Sequence, residues 1–143
     1  MTDSVLVVAH LVLVAAYAGF QWTVRALVYP QFTGVGAGFV AYERAHQQRV
    51  SQVVGPLFVG QGITTGWLLV LALRGQAPAV PVLVGATCMG TVLLMTALGA
   101  VPLHRALSAG WDPAVHRRLL RVDSVRAVAA SAGVLAAAWL LLV

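Results

Sequence analysis

The run YERAHQQRVSQVV, residues 42–54, continues without a break into GPLFVGQGITTGWLLVLAL, residues 55–73. The first part holds a carboxylate, an imidazole, several amides and two guanidiniums, whereas the second part carries no charge at all. A single helix over 39–73 is longer than the ~20 residues that a bilayer core requires. Its first turns therefore stand at the membrane interface, and its polar chemistry stands with them. Glu43 and His46 are three positions apart and share a helix face, with Gln47 beside them. Gln61 falls at nearly the angle of Glu43 about five turns further on, at roughly 3.6 residues per turn.

The rest of the chain fits that setting. Of its 143 residues 60% are hydrophobic and only 9% are charged, against about 25% charged in soluble domains. The sequence predicts an all-α, integral membrane four-helix bundle, a single domain over residues 1–143 with helices near 4–29, 39–73, 82–107 and 113–143. The N-terminal apolar run has no basic flank and is too long for a cleaved signal, so it is expected to remain as the first span. Lone Cys88 lies in an apolar segment and supplies neither a disulfide framework nor a cysteine metal motif.

The net charge of +5 comes wholly from arginine. These arginines sit at helix ends, as the positive-inside rule requires, and nucleic acid is not an expected partner. Eight of the nine, residues 25, 44, 49, 105, 117, 118, 121 and 126, flank the first and third loops, and only Arg74 lies opposite. Those loops are expected to be cytoplasmic and both termini extracytoplasmic. The expected location is the cell membrane as a multi-pass protein, with the lipid bilayer and a hydrophobic small molecule as partners. A homo-oligomer is a further expectation; no inverted repeat or broken helix pair points to a transporter.

Along the first helix His10, Tyr17 and Gln21 fall within a narrow sector, and Arg25 continues the stripe with some rotation. Polar groups inside a span face the bundle or a wet cavity, or bond neighbouring helices together. Pro30 is expected to break that helix, and QFTGVGAG, residues 31–38, to form a glycine loop with no phosphate-binding signature. Pro56 is expected to kink the second helix. RGQAPAVP, residues 74–81, reads as a turn, and Gly85, Gly90 and Gly99 as points of close helix approach. Asp112-Pro113 reads as an N-cap followed by a first-turn proline. Cys88, Met89 and Met95 read as core packing, and Trp22 and Trp111 as members of an interfacial belt.

Glu43-x-x-His46 is the (i, i+3) pair that carboxylate-bridged metal bundles use twice, present here once. With His104 from the third helix and Asp123 from the fourth, it outlines a mixed nitrogen and oxygen site for one transition metal, iron, copper or zinc. Paired histidines at helix ends are poorly placed for a haem. The same groups also read as an ion-pair network, Asp123 with Arg126 or with Arg25, or as a metal-free polar pocket that handles a substrate.

Val28-Tyr29-Pro30-Gln31-Phe32, Tyr42-Glu43-Arg44-Ala45-His46, Val101-Pro102-Leu103-His104-Arg105-Ala106-Leu107 with Gly110, Leu120, and Val122-Asp123-Ser124-Val125-Arg126 together resemble the DUF1772 family. That family comprises small four-span membrane proteins, among them the anthrone-oxygenase-like ones. Its fourth span commonly opens with Asn-x-x-Arg; this chain has the arginine at Arg126 but Asp123 in place of the asparagine. The resemblance implies oxidation of a flat aromatic or other hydrophobic substrate by molecular oxygen. A weaker similarity, through His10, Gly19 and Gln21-Trp22, is to the transmembrane protein 205-like group.

The sequence thus predicts an oxidoreductase of oxygenase type near the cytoplasmic interface. Glu43, His46, His104 and Asp123 are expected to bind a metal or act as acid and base. Arg126 and Arg25 would stabilise negative charge, and Tyr17, Gln21, Gln47 and Gln61 would line the cavity. The alternative is a non-enzymatic binding or assembly protein whose polar residues form a structural network.

Overall fold

The computed structural model describes residues 4–143. All regular structure among them is helical, in four elements: α1, Ser4–Gly34; α2, Phe39–Leu73; α3, Ala79–Leu107; and α4, Pro113–Leu140. The segments Ser4–Gly34, Gly36–Leu73 and Ala79–Leu107 are long and apolar enough to cross a membrane. The first half of α4 is too rich in arginine to resemble them. Helix α4 packs along α1 and α3, and α2 packs against the same two, so that sequence neighbours are neighbours in space.

Each terminus of these helices has a local cause. Helix α2 ends in a Schellman turn: Gly75 takes φ +70°, its N–H bonds the Ala72 carbonyl and the Gln76 N–H bonds the Leu71 carbonyl. Helix α3 starts at Ala79, three residues before the expected Val82, because extended Pro78 serves as N-cap and Pro81 falls in the first turn, where a missing N–H leaves no bond unmade. Helix α4 starts as its sequence predicts, the Asp112 carboxylate accepting from the N–H groups of Ala114 (2.7 Å) and Val115 (3.2 Å).

Pro30 does not break the first helix. One residue before it the helix widens into a π turn, Val24–Val28, closed by the Tyr29 N–H on the Val24 carbonyl. The helix then carries Pro30 inside Tyr29–Gln31 and ends in a 3-10 turn, Phe32–Gly34. Within the expected glycine loop Gly36, at φ +68°, opens a second 3-10 turn, Gly36–Gly38, that leads into α2. Helix α3 repeats the device: a π turn at Thr96–Ala100, then Val101, then Pro102. The wider turn leaves room for a proline ring that would otherwise press on the carbonyl four residues back. Helix α2 is continuous through Pro56.

Small residues set how closely α3 and α4 approach. A Cβ built on Gly99 would stand 2.8 Å from Val122 Cγ1, and one on Gly85 3.8 Å from Ala136, whereas Gly90 has open space. Gly99→Val is therefore expected to destabilise the bundle by about 1–3 kcal/mol through overpacking. Gly90→Val is expected to leave the melting temperature in detergent within about a degree of the parent, since surface changes cost under about 0.5 kcal/mol. Equal melting of the two variants would contradict this packing.

Candidate functional site

The contacts between α2 and the last turns of α3 are sparse, and there the bundle opens a cavity of about 440 Å³. Both π turns contribute to its wall, through Val24 on one side and Thr96 and Ala100 on the other. Phe20, Val50, Val54 and Phe58 make most of it apolar. Exposed Ser51, Val101 and Arg105 lie at its rim, so the opening is lateral, between α2 and α3. An apolar cavity of this size with a few convergent polar groups has the form of a small-molecule site.

Two polar groupings meet it. In the first, His104 Nδ1 lies 2.5 Å from Glu43 Oε1, and His104 Nε2 lies 2.9 Å from the Tyr29 hydroxyl. With Glu43 ionised, Nδ1 carries the ring proton and Nε2 accepts from the phenol. The order carboxylate, imidazole, hydroxyl is the arrangement that activates an oxygen nucleophile or base in hydrolytic triads, recognised by geometry rather than by sequence position. Gln47 braces it, the two protons of its Nε2 shared among Glu43 Oε1 (3.0 Å), the His104 carbonyl (3.2 Å) and Ser108 Oγ (2.6 Å). His116 fixes the far side through Nε2, 2.9 Å from the Tyr29 carbonyl oxygen.

In the second grouping, Asp123 accepts from Gln21 Nε2 (2.6 Å) and from Arg126 Nη1 (2.9 Å). Arg126 Nη2 donates to the Tyr17 hydroxyl (3.2 Å), which itself donates to Gln21 Oε1 (2.9 Å). Glu43 and Asp123 are fully enclosed. Among the described residues four buried polar atoms are left without a partner: Glu43 Oε2, His46 Nε2, Asp123 Oδ2 and Arg126 Nε. Buried polar atoms in native proteins are nearly always satisfied, and both His46 and Arg126 line the cavity. An occupant with polar atoms of its own is the natural partner for these groups.

The residues singled out from sequence thus divide. His46, His104, Gln47, Gln21 and Arg126 line the cavity, and Glu43 stands behind His104. Asp123 and Tyr17 lie behind Arg126 and Gln21. Arg25 turns aside to Ser124, its Nε donating to Oγ at 2.8 Å, so Arg126 and not Arg25 is the partner of Asp123. Gln61 bonds the Leu57 carbonyl and borders a water-sized void beside His10, roughly 27 Å along α2 from Glu43 at 1.5 Å per residue. His10 bonds Thr64 Oγ1 at 2.8 Å.

The four-residue metal set is not drawn together. Both ring nitrogens of His104 have protein partners, and Asp123 is held by a guanidinium. Glu43 Oε2, His46 Nε2 and Asp123 Oδ2 keep a free ligand atom each, but among the described residues no three His, Cys, Asp or Glu side chains converge as a metal site. Tyr29 is the residue that sequence reading passed over, although it stands in the quoted Val28-Tyr29-Pro30. Compared with protein-family models, curated proteins and solved structures, the chain matches none. The functional reading therefore rests on the cavity and the groups that meet it.

Proposed function

We propose that this protein is a membrane-embedded oxidoreductase of oxygenase type, acting on a hydrophobic aromatic or lipid-like substrate that enters laterally between α2 and α3. In this reading all four helices cross the cell membrane, the arginine-rich ends face the cytoplasm and both termini lie outside. The supporting observation is the Glu43–His104–Tyr29 relay ending at a laterally open apolar cavity, with the Arg126 guanidinium among the lining groups.

The chemistry that fits is proton abstraction from a carbon made acidic by a neighbouring carbonyl. Tyr29 passes its proton to His104 Nε2 as it takes one from the substrate C–H, while Glu43 stabilises the imidazolium. The negative charge moves to the substrate oxygen, where Arg126 offers a fixed cation in surroundings of low dielectric. The electron-rich anion then reduces dioxygen: a new C–O bond forms and the resulting peroxide takes back the abstracted proton. The relay next removes the second C–H proton, and as that electron pair closes the C=O bond the O–O bond breaks and the departing hydroxide leaves with the proton as water. For a methylene the balance is CH2 + O2 giving C=O + H2O, with no external reductant.

Purified protein with anthrone as probe tests this. The expected result is oxygen uptake equal to the substrate consumed, with water as the second product and no added cofactor. Oxygen uptake no faster than in buffer would leave the non-enzymatic reading, in which the network serves stability alone. Elemental analysis of the same preparation tests the metal: stoichiometric iron, copper or zinc that is lost in His46→Ala would replace the relay by a metal-centred route through Glu43 Oε2 and His46 Nε2.

A further inference from the structure

On the other side of α3 from the reaction cavity, the arginine-rich ends of α3 and α4 enclose an open groove of about 390 Å³. Its walls are Leu98, Gly99, Pro102 and Leu103 from α3 and Val122 from α4, and its rim carries Arg118 and Arg121. Leu98 is 72% exposed, so the apolar wall faces outward. Arg118 and Arg121 are exposed, three positions apart on one face, and make no ion pair or hydrogen bond among the described residues. Among the described residues no carboxylate lines the groove: Glu43 and Asp123 are enclosed within the bundle, and Asp112 caps α4.

We propose that this groove binds one anionic phospholipid, the phosphate held by Arg118 and Arg121 and the glycerol and upper acyl chains lying on Leu98, Gly99, Leu103 and Val122. The occupant follows from the pairing of features. Two guanidiniums without counter-charge call for an anion, and phosphate suits their planar donors. The apolar walls beneath call for hydrocarbon attached to that anion, and basic pockets between membrane helices take acidic lipid headgroups in this way. The proposal stands apart from the oxygenase reading, since it uses no residue of the relay. It does touch the reaction cavity's wall: Leu98 and Gly99 belong to the π turn whose Thr96 and Ala100 line that cavity.

Native mass spectrometry of the full chain in detergent, titrated with dioleoyl phosphatidylglycerol or dioleoyl phosphatidylcholine, decides it. The expected result is one tightly retained phosphatidylglycerol, with phosphatidylcholine bound at least tenfold more weakly. R118Q/R121Q is expected to weaken phosphatidylglycerol retention about 30-fold, and R117Q, which alters an exposed arginine outside the groove, less than threefold. Leu98→Trp keeps both charges but fills the groove, and is expected to lose the lipid as well. Millimolar inorganic phosphate is expected not to displace it. A loss for R117Q equal to that for the double variant would reduce the site to general surface charge. Retention unchanged in Leu98→Trp, or displacement by inorganic phosphate, would remove the groove from the account.

Discussion

Arg126→Ala is expected to destabilise the protein by about 3–5 kcal/mol, the cost of breaking one partner out of a buried ion pair. Asp123 is fully enclosed, and its Oδ1 takes both the Gln21 amide and the Arg126 guanidinium. Without the guanidinium the carboxylate has one neutral donor and an Oδ2 that already lacks a partner. The Tyr17 hydroxyl loses a donor too. Removing both charges is a different experiment: Asp123→Ala/Arg126→Ala creates a cavity but strands no charge, so it is expected to melt above Arg126→Ala. Thermal unfolding of the single and double variants in one detergent measures the coupling. A double variant that melts at or below the worse single variant would show that the pair is not what holds this part of the bundle.

That pair was half legible in the sequence. Asp123 and Arg126 are three apart on one helix, and such spacing always offers a bond. Which arginine prevails was not legible, because Arg25 and Arg126 are both within reach of a carboxylate placed only by helix periodicity. The π turn decides it. In a straight α-helix Tyr29, eight positions after Gln21, would point about 80° away from it at 100° per residue. A π turn absorbs one extra residue, so the spacing counts as about seven and Tyr29 returns to within roughly 20° of Gln21. Arg25 sits inside the turn and is rotated toward Ser124.

The same shift explains why the stripe of His10, Tyr17 and Gln21 was readable and its continuation was not. The first three precede the turn and keep α periodicity. Likewise Thr96 and His104, eight apart across the second π turn, both face the cavity. The number of helices and the cap at Asp112 came from local chemistry and needed no correction; the turn after α2 stands where it was expected but ends at Pro78, because Pro81 fits a first helical turn. The signal for the π turns was present as two prolines late in apolar helices, Pro30 and Pro102. It reads as a break unless the widened turn is considered.

The relay supplies the other large effect. Tyr29→Phe is expected to lower oxygen uptake with anthrone by about 10²–10⁴, the range that a positioned acid or base contributes. Its cost in stability should be only about 1 kcal/mol, since one hydrogen bond is lost and the ring remains packed. His104→Ala removes the acceptor of the phenol proton and Glu43→Gln removes the charge that supports the imidazolium, so each should lose activity of similar order. The three act as one unit, and groups of that kind do not add. Tyr29→Phe/His104→Ala should therefore be scarcely slower than the worse single variant, whereas two independent binding contacts would multiply. His116→Ala separates position from chemistry. It frees the Tyr29 carbonyl without touching the hydroxyl, so its effect should fall well short of that of Tyr29→Phe. A Tyr29→Phe protein that turns over at the parental rate would leave the cavity as a binding site and remove the phenol from the reaction. A fully active His104→Ala beside an inactive Tyr29→Phe would keep the phenol but sever it from the imidazole, and the order of groups seen in the structure would then be packing alone.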